Sequence, residues 1–195
     1  LGDGSIAGGE YNVAIGNYSL DALTSADKCT AVGYNAGTAI TTAAENTLLG
    51  YSAGAALVDG GYNVLIGSLA GDAVVDGTGN IAVGTGALGS VSGGNNLALG
   101  GFAAAGGVGG GISSGSNNTV LGTFAANDFN YTGSNNTMIG YDAEGTAAGA
   151  SNEFTLGNSS IATLRCQQTS ITALSDQRDK TDIETLPYGL DFVNS

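Results

Sequence analysis

Val64-Leu65-Ile66-Gly67 is one of nine stretches in this chain with the same form, three mostly apolar residues and then glycine. The others are Val13-Ala14-Ile15-Gly16, Thr30-Ala31-Val32-Gly33, Thr47-Leu48-Leu49-Gly50, Ile81-Ala82-Val83-Gly84, Leu97-Ala98-Leu99-Gly100, Thr119-Val120-Leu121-Gly122, Thr137-Met138-Ile139-Gly140 and Phe154-Thr155-Leu156-Gly157. Their glycines stand 17, 17, 17, 17, 16, 22, 18 and 17 residues apart. A sustained period of this size marks a repeat architecture, in which one short unit stacks on the next. Leu1-Gly2 resembles the tail of one more copy, so the chain is expected to begin inside a repeat.

The columns of the repeat have physical meanings. The residue before the glycine is always Ile, Val or Leu, which predicts a side chain pointing into a dry interior. The residue two places earlier falls on the same face, because strand side chains alternate with period two. Between them stands a column rich in alanine (Ala14, Ala31, Ala82, Ala98), expected on a second, crowded face. Glycine then suits a tight corner with positive φ or no room for a Cβ. Three places after it comes a small residue, Ser19 or alanines such as Ala36 and Ala53. At the seventh place larger apolar residues return (Leu23, Ile40, Leu57, Val74, Val91), which predicts a second short strand.

An asparagine precedes most strands (Asn12, Asn46, Asn63, Asn80, Asn96, Asn118, Asn136), with Cys29 and Glu153 as exceptions. Stacked asparagines can form an amide ladder along a repeat axis, or each can simply make a turn. Acids avoid the strands and fall between them, at Asp27, Glu45, Asp59, Asp72, Asp76 and Asp128, as on a solvated edge. The long step between Gly100 and Gly122 contains Gly106 to Gly111, expected to bulge from the rod as a loop.

Composition narrows the function. The 195 residues include 35 glycines, one proline, no tryptophan and no histidine, with a formal net charge of −13. Without histidine the chain has no Ser-His-Asp triad, no Cys-His pair and no His-ligated metal. Four basic residues make it a poor partner for nucleic acid, whose affinity rests on Lys and Arg. No run of about 20 apolar residues is present, which predicts no membrane insertion. A hydrophobic share of 42 % argues against disorder. Cys29 and Cys166 lack CxxC spacing and are either free thiols or one disulfide. No cofactor motif is present, and loops such as Asp59-Gly60 and Asp76-Gly77 do not repeat the several oxygen ligands that calcium requires.

These observations predict an all-β fold, a β-solenoid of ~17-residue coils over residues 1–157. So many alanines and glycines make a thin core for one chain, which points to a homotrimer. After Gly157 the period stops. Residues 158–175 read as an extended β connector, and 176–195, with Arg178, Lys180 and the single Pro187, as the opening of another domain.

The Asn-x-x-aliphatic-Gly strands, such as Asn12-Val13-Ala14-Ile15-Gly16, resemble the head repeats of trimeric autotransporter adhesins, which also occur in distal parts of bacteriophage tail fibres. The run Ile171-Thr172-Ala173-Leu174-Ser175-Asp176-Gln177-Arg178-Asp179-Lys180-Thr181-Asp182-Ile183 resembles the junction that begins the peptidase S74 intramolecular chaperone domain of tail fibres and tailspikes. Leu186-Pro187-Tyr188-Gly189-Leu190-Asp191-Phe192 is similar to that family as well. The chain departs from it in length, with only residues 176–195 after the junction.

The resemblance implies an extracellular, virion-borne tail fibre. Its partners would be two further copies of itself, other tail proteins and a host cell-surface glycan or protein receptor. It also implies self-cleavage beside a serine in the complete chain, which places the catalytic roles on Ser175 and Lys180. The serine hydroxyl needs a base, and with no histidine a lysine must serve; that lysine must be neutral. The plain alternative is a turn or helix cap at Ser175-Asp176 and a solvated charge at Lys180. Two other functions stay open: the head of a bacterial trimeric adhesin, and a polysaccharide-degrading tailspike, which would need two carboxylates at defined separation. Tyr18, Tyr34, Tyr51, Tyr62, Tyr141 and Phe102 either stack on sugars or pack on neighbouring coils.

Overall fold

A parallel strand needs a connection that returns the chain to its starting side, and one ~17-residue coil supplies it. The computed structural model describes residues 8–89, 91–106, 111–128 and 130–165. Among them nine strands form one parallel sheet: β1 (Val13–Ile15), β2 (Thr30–Val32), β3 (Thr47–Leu49), β4 (Val64–Ile66), β5 (Ile81–Val83), β6 (Leu97–Leu99), β8 (Thr119–Leu121), β10 (Thr137–Ile139) and β11 (Phe154–Leu156). A second, two-stranded parallel sheet pairs β7 (Gly111–Ile112) with β9 (Asn130–Tyr131). The order in the large sheet follows the chain, and register holds column by column: Leu48 faces Leu65, and across the longest step Ala98 still faces Val120. The result is an all-β solenoid of about eight turns, with no helix among the described residues.

The strand faces correct the expectation. The residue before each glycine points outward, as at Ile15, Leu49, Leu99 and Leu156, all exposed. The middle column points inward instead: Ala31, Leu48, Leu65, Ala82, Ala98, Val120 and Met138 are buried. The reason is space. A single narrow coil leaves room inside for one side chain per strand, so alanine serves there, while two larger ones fit only outside.

Volume inside the coil is shared between two columns. Four places after the strand glycine the residue is also buried from Leu20 to Ala126, and where the strand contributes leucine that place is glycine. A Cβ on Gly54 would stand 3.0 Å from both Leu48 and Leu65, and one on Gly71 2.8 Å from Leu65. After Ala14 and Ala82 the same place holds Leu20 and Leu88, both fully buried, whereas after Ala98 it holds Ala104 and after Ala31 it is Gly37, where a Cβ would stand 2.6 Å from Leu48 of the next coil. Leu20 and Leu88 accept positive φ, 51° and 54°, a strained choice that the filled core offsets.

The strand glycines face along the stack. At Gly67 φ is +134°, and an added Cβ would lie 2.4 Å from the carbonyl oxygen of Gly84 in the next coil. No side chain fits there. At Gly157 the neighbour is different: the Ile161 side chain occupies that space, with its Cγ1 2.2 Å from an ideal Cβ. Ile161 therefore covers the last glycine where another coil would otherwise sit. The chain divides into two units, Leu1–Ile161 and Ala162–Ser195, and only residues 162–165 of the second are among those described.

The small column is buried, from Ser19 through Ala143, and so is the seventh-place column, Leu23, Ile40, Leu57, Val74 and Val91. The second strand expected at that column is present only as β7 and β9; at Leu23, Ile40, Leu57, Val74 and Val91 the chain is irregular. The long coil also differs from a simple bulge. Gly111 and Ile112 return to the core as β7, and Ile112 is buried. Gly107 to Gly110 lie outside the described residues.

Candidate functional site

The asparagine column forms a continuous internal clamp. Asn46, Asn63, Asn80, Asn96, Asn118 and Asn136 are buried. Each Oδ1 accepts the backbone N–H of the equivalent residue one coil later, for example Asn63 N–H to Asn46 Oδ1 at 2.9 Å and Asn80 N–H to Asn63 Oδ1 at 2.9 Å. Each Nδ2 donates to the next coil's backbone, as Asn63 does to Gly77 O at 2.8 Å. Amide-to-amide contacts join Asn63 to Asn46, Asn96 to Asn80 and Asn118 to Asn96. Ladder and backbone clamp therefore coexist. The residue before each ladder position is left-handed, at φ 61° in Tyr11 and Tyr62 and 58° in Lys28 and Asn95.

Cys29 takes one ladder place as a buried free thiol. Its Sγ lies 3.2 Å from Ala43 O, the carbonyl that an asparagine Nδ2 would reach from that position. Burial pushes the thiol pKa up, against hydrogen bonds from Asn46 that lower it. At the other end Glu153 donates its N–H to the Asn136 amide oxygen at 3.0 Å and turns its own carboxylate to Thr146.

The outward strand face runs the length of the nine-stranded sheet. Its eighteen positions hold four threonines and otherwise aliphatic residues and Phe154, with no charged residue. Ile15 is 60 % exposed and Leu49 47 %. Two aromatic rows lie one or two places after the strand glycines. Tyr34 and Tyr51 stack at 5.6 Å with Tyr18 edge-on to Tyr34, and Phe102 and Phe124 stack at 5.6 Å with Tyr141 edge-on. These rings pack on neighbouring coils, and in each stacked pair the two faces cover each other.

An acidic cluster lies near the end of the solenoid. Asp128, Asp142 and Glu144 each bring a carboxylate oxygen within 4.8 Å of the others. They line a cleft of about 370 Å³ together with Thr155, Asn158 and Ser159. Glu144 Oε1 accepts the N–H groups of Asn127 at 2.7 Å and Asp128 at 3.2 Å, and Oε2 accepts the hydroxyl of buried Tyr131 at 2.5 Å. The Tyr131 oxygen in turn accepts Gly145 N–H at 2.7 Å. Burial raises the Glu144 pKa, the hydrogen bonds lower it, and the Asp128 charge adds to the rise. Burial and Glu144 both raise that of Tyr131. Asp142 and Glu144 were not singled out in the sequence. The available signal was the 16-residue step from Asp128 to Glu144, close to one coil, which sets acids on adjacent turns.

Ser175, Lys180, Arg178 and Cys166 lie outside the described residues, as do most of the connector and all of 176–195. No described helix is long and apolar enough to cross a membrane. Compared with known proteins, the chain matches no family model, no curated protein and no solved structure.

Proposed function

We propose that this chain is a rod-forming segment of a phage tail fibre, a homotrimer on the virion exterior whose inter-strand loops are available for host-surface recognition. The observation that carries the proposal is unbroken register: nine strands stay aligned although their spacing runs from 16 to 22 residues. Such a stack varies its loops without disturbing its axis, which is what a spacer bearing recognition loops requires. The head of a bacterial trimeric adhesin needs the same geometry and differs in the domain downstream, an anchor barrel in place of a chaperone. A polysaccharide-degrading tailspike is less well supported, because both Glu144 oxygens are engaged in holding Asn127, Asp128 and Tyr131.

Removing residues 51–67, one whole coil, tests the spacer. The variant should fold and shorten by ~4.8 Å in solution scattering, whereas removing half a coil should abolish folding. A half-coil variant as stable as the parent would overturn the proposal. Light scattering should give three times the 18.9 kDa chain mass, and a monodisperse single chain would overturn the trimer. The junction is proposed to cut itself in the complete chain, with Ser175 as nucleophile and Lys180 as base. Expressed with its downstream domain, the wild type should release a C-terminal fragment, and Ser175→Ala and Lys180→Ala should each prevent it. A wild type that stays whole after assembly, or a variant that still cuts, removes that assignment.

A further inference from the structure

We infer that Ile161 is a plug that seals the end of the solenoid: its side chain closes the β11 edge, where a further strand would otherwise pair. The device belongs to each chain alone and does not depend on the trimer proposed above.

Three rules that the earlier coils keep are broken here. The first is the path of the chain. Every strand glycine from Gly16 to Gly140 has φ between 124° and 146°, and the residue two places on is left-handed, from Tyr18 at 60° to Asp142 at 55°. Gly157 turns at 72° and Ser159 is not left-handed, so the chain leaves the coil there. The second is a donor. From Leu20 to Ala126 the N–H four places after the glycine reaches the next coil, as Leu20 does to Ala36 O at 3.1 Å and Ala126 to Ala143 O at 2.9 Å. The Ile161 N–H instead turns back to Asn158 O at 3.2 Å, and the Ser160 N–H to Asn158 Oδ1 at 3.0 Å. Both donors are satisfied without another coil. The third is the side chain. Over Gly67 the next coil brings the Gly84 carbonyl oxygen, whereas over Gly157 stand Cγ1 and Cδ1 of Ile161, both within 2.7 Å of an ideal Cβ. A β-branched residue suits this task, because its stiff χ1 holds the γ carbons in place. The edge needs closing: among the described residues β11 is joined to β10 alone, and an open edge strand is a template for another chain. Ile161 itself remains 57 % exposed, as the outermost layer of the stack end.

Amide hydrogen exchange tests the seal. The Gly157 N–H, which donates to Ile139 O at 2.7 Å, reports the end of the stack, and the Gly67 N–H, which donates to Leu49 O at 2.8 Å, reports its middle. Ile161→Gly should speed exchange at Gly157 about tenfold or more, because local opening is governed by local cover. Gly67 should be unchanged, since the end of a stack frays without unfolding its middle. Ile161→Val keeps both γ carbons and should hold Gly157 within about threefold of the wild type. Leu164→Gly, at a 63 % exposed position three residues on, should change neither amide. Gly157 exchange as slow in Ile161→Gly as in the wild type, or as fast in Leu164→Gly as in Ile161→Gly, would overturn the plug. So would loss of protection at Gly67 together with Gly157 in Ile161→Gly, which would make Ile161 a support of the whole stack and not the seal of its end.

Discussion

The two faces of each strand in this solenoid are both apolar, yet they meet opposite environments. Leu48 is wholly buried and its neighbour Leu49 is 47 % exposed. In an ordinary half-buried sheet the larger residues mark the inside. Here they mark the outside, because the coil is only wide enough for one inward side chain per strand, and Gly54 and Gly71 make room even for Leu48 and Leu65. Apolar character along a repeat therefore reports how many surfaces must be dry, and side-chain size reports which surface has the space.

The stack axis is stricter than either face, and breaking it should give the largest effect. Gly67→Ala puts a Cβ 2.4 Å from the Gly84 carbonyl oxygen at a positive φ. The coils would have to part, at a cost of about 4 kcal/mol or more, a range reserved for disrupted backbone or core. Gly8→Ala meets nothing within 4 Å and should stay within about 0.5 kcal/mol of the parent. Urea denaturation of both variants checks the contrast, and equal midpoints would show that the glycine column is not a packing constraint.

Between the two faces the contrast should be smaller. Leu48→Ala empties a buried site shared with Leu65 and Gly54 and should cost about 2–4 kcal/mol of folding stability. Leu49→Ala should cost the single coil less than about 1 kcal/mol. Its loss should instead appear in association, read by dilution in light scattering. Urea denaturation of both variants across a dilution series separates folding from assembly. Equal folding costs would mean that the outward face is as structural as the inward one.

The ladder offers a gain instead of a loss. Cys29 can reach Ala43 O through its thiol but lacks the amide oxygen that elsewhere accepts the next coil's N–H at about 2.9 Å. Cys29→Asn should replace a weak sulfur acceptor for the Asn46 N–H with an amide oxygen and raise stability by up to about 1 kcal/mol. Asn63→Ala should cost about 2 kcal/mol or more, since it strands the Asn80 N–H and the Gly77 carbonyl. Thermal melts of both variants measure the pair, and a destabilised Cys29→Asn would show that the cavity there is cut for sulfur.

Much of the fold was legible in the sequence. The three residues before each of the nine glycines are strands, and the ladder offered for the asparagine column is present. These readings rest on period alone, which a stack preserves. The direction of each face was not legible, because alternation gives two faces without saying which is inside. The second strand was expected in every coil and is present only as β7 and β9, which fall off the seventh place: the insertion shifts Ile112 out of phase, and β9 begins eight places after Gly122. The acidic cluster depends on which loops adjoin across coils, and spacing alone ranks Asp128 and Glu144 no higher than other acids one turn apart.

The smallest expected effect is a titration that sets the inner and outer acids against each other. Burial raises the Glu144 pKa above its ordinary 4.5, so the protonated form is favoured in the folded chain. Its contribution to stability is therefore fully present below the unfolded value and is lost as pH rises through the folded one. Asp72, raised by burial from 3.8, acts in the same sense. Exposed Glu153 has the opposite sign: hydrogen bonds from Thr146 lower its pKa from 4.5, so its contribution is present above that value and is lost as pH falls through the folded one. Lowering the pH from 7 to about 5 should thus stabilise the fold slightly, before the Glu153 contribution begins to fall. Glu144→Gln keeps an acceptor for the Asn127 N–H and removes the charge, so its melting temperature should change less over that interval than the wild type's. The remaining slope should shrink again on Asp72→Asn. Melting curves at the two pH values decide it. A wild type that loses stability over this interval, or a Glu144→Gln variant with an unchanged slope, would mean that the half-buried carboxylate is solvated as freely as the exposed one.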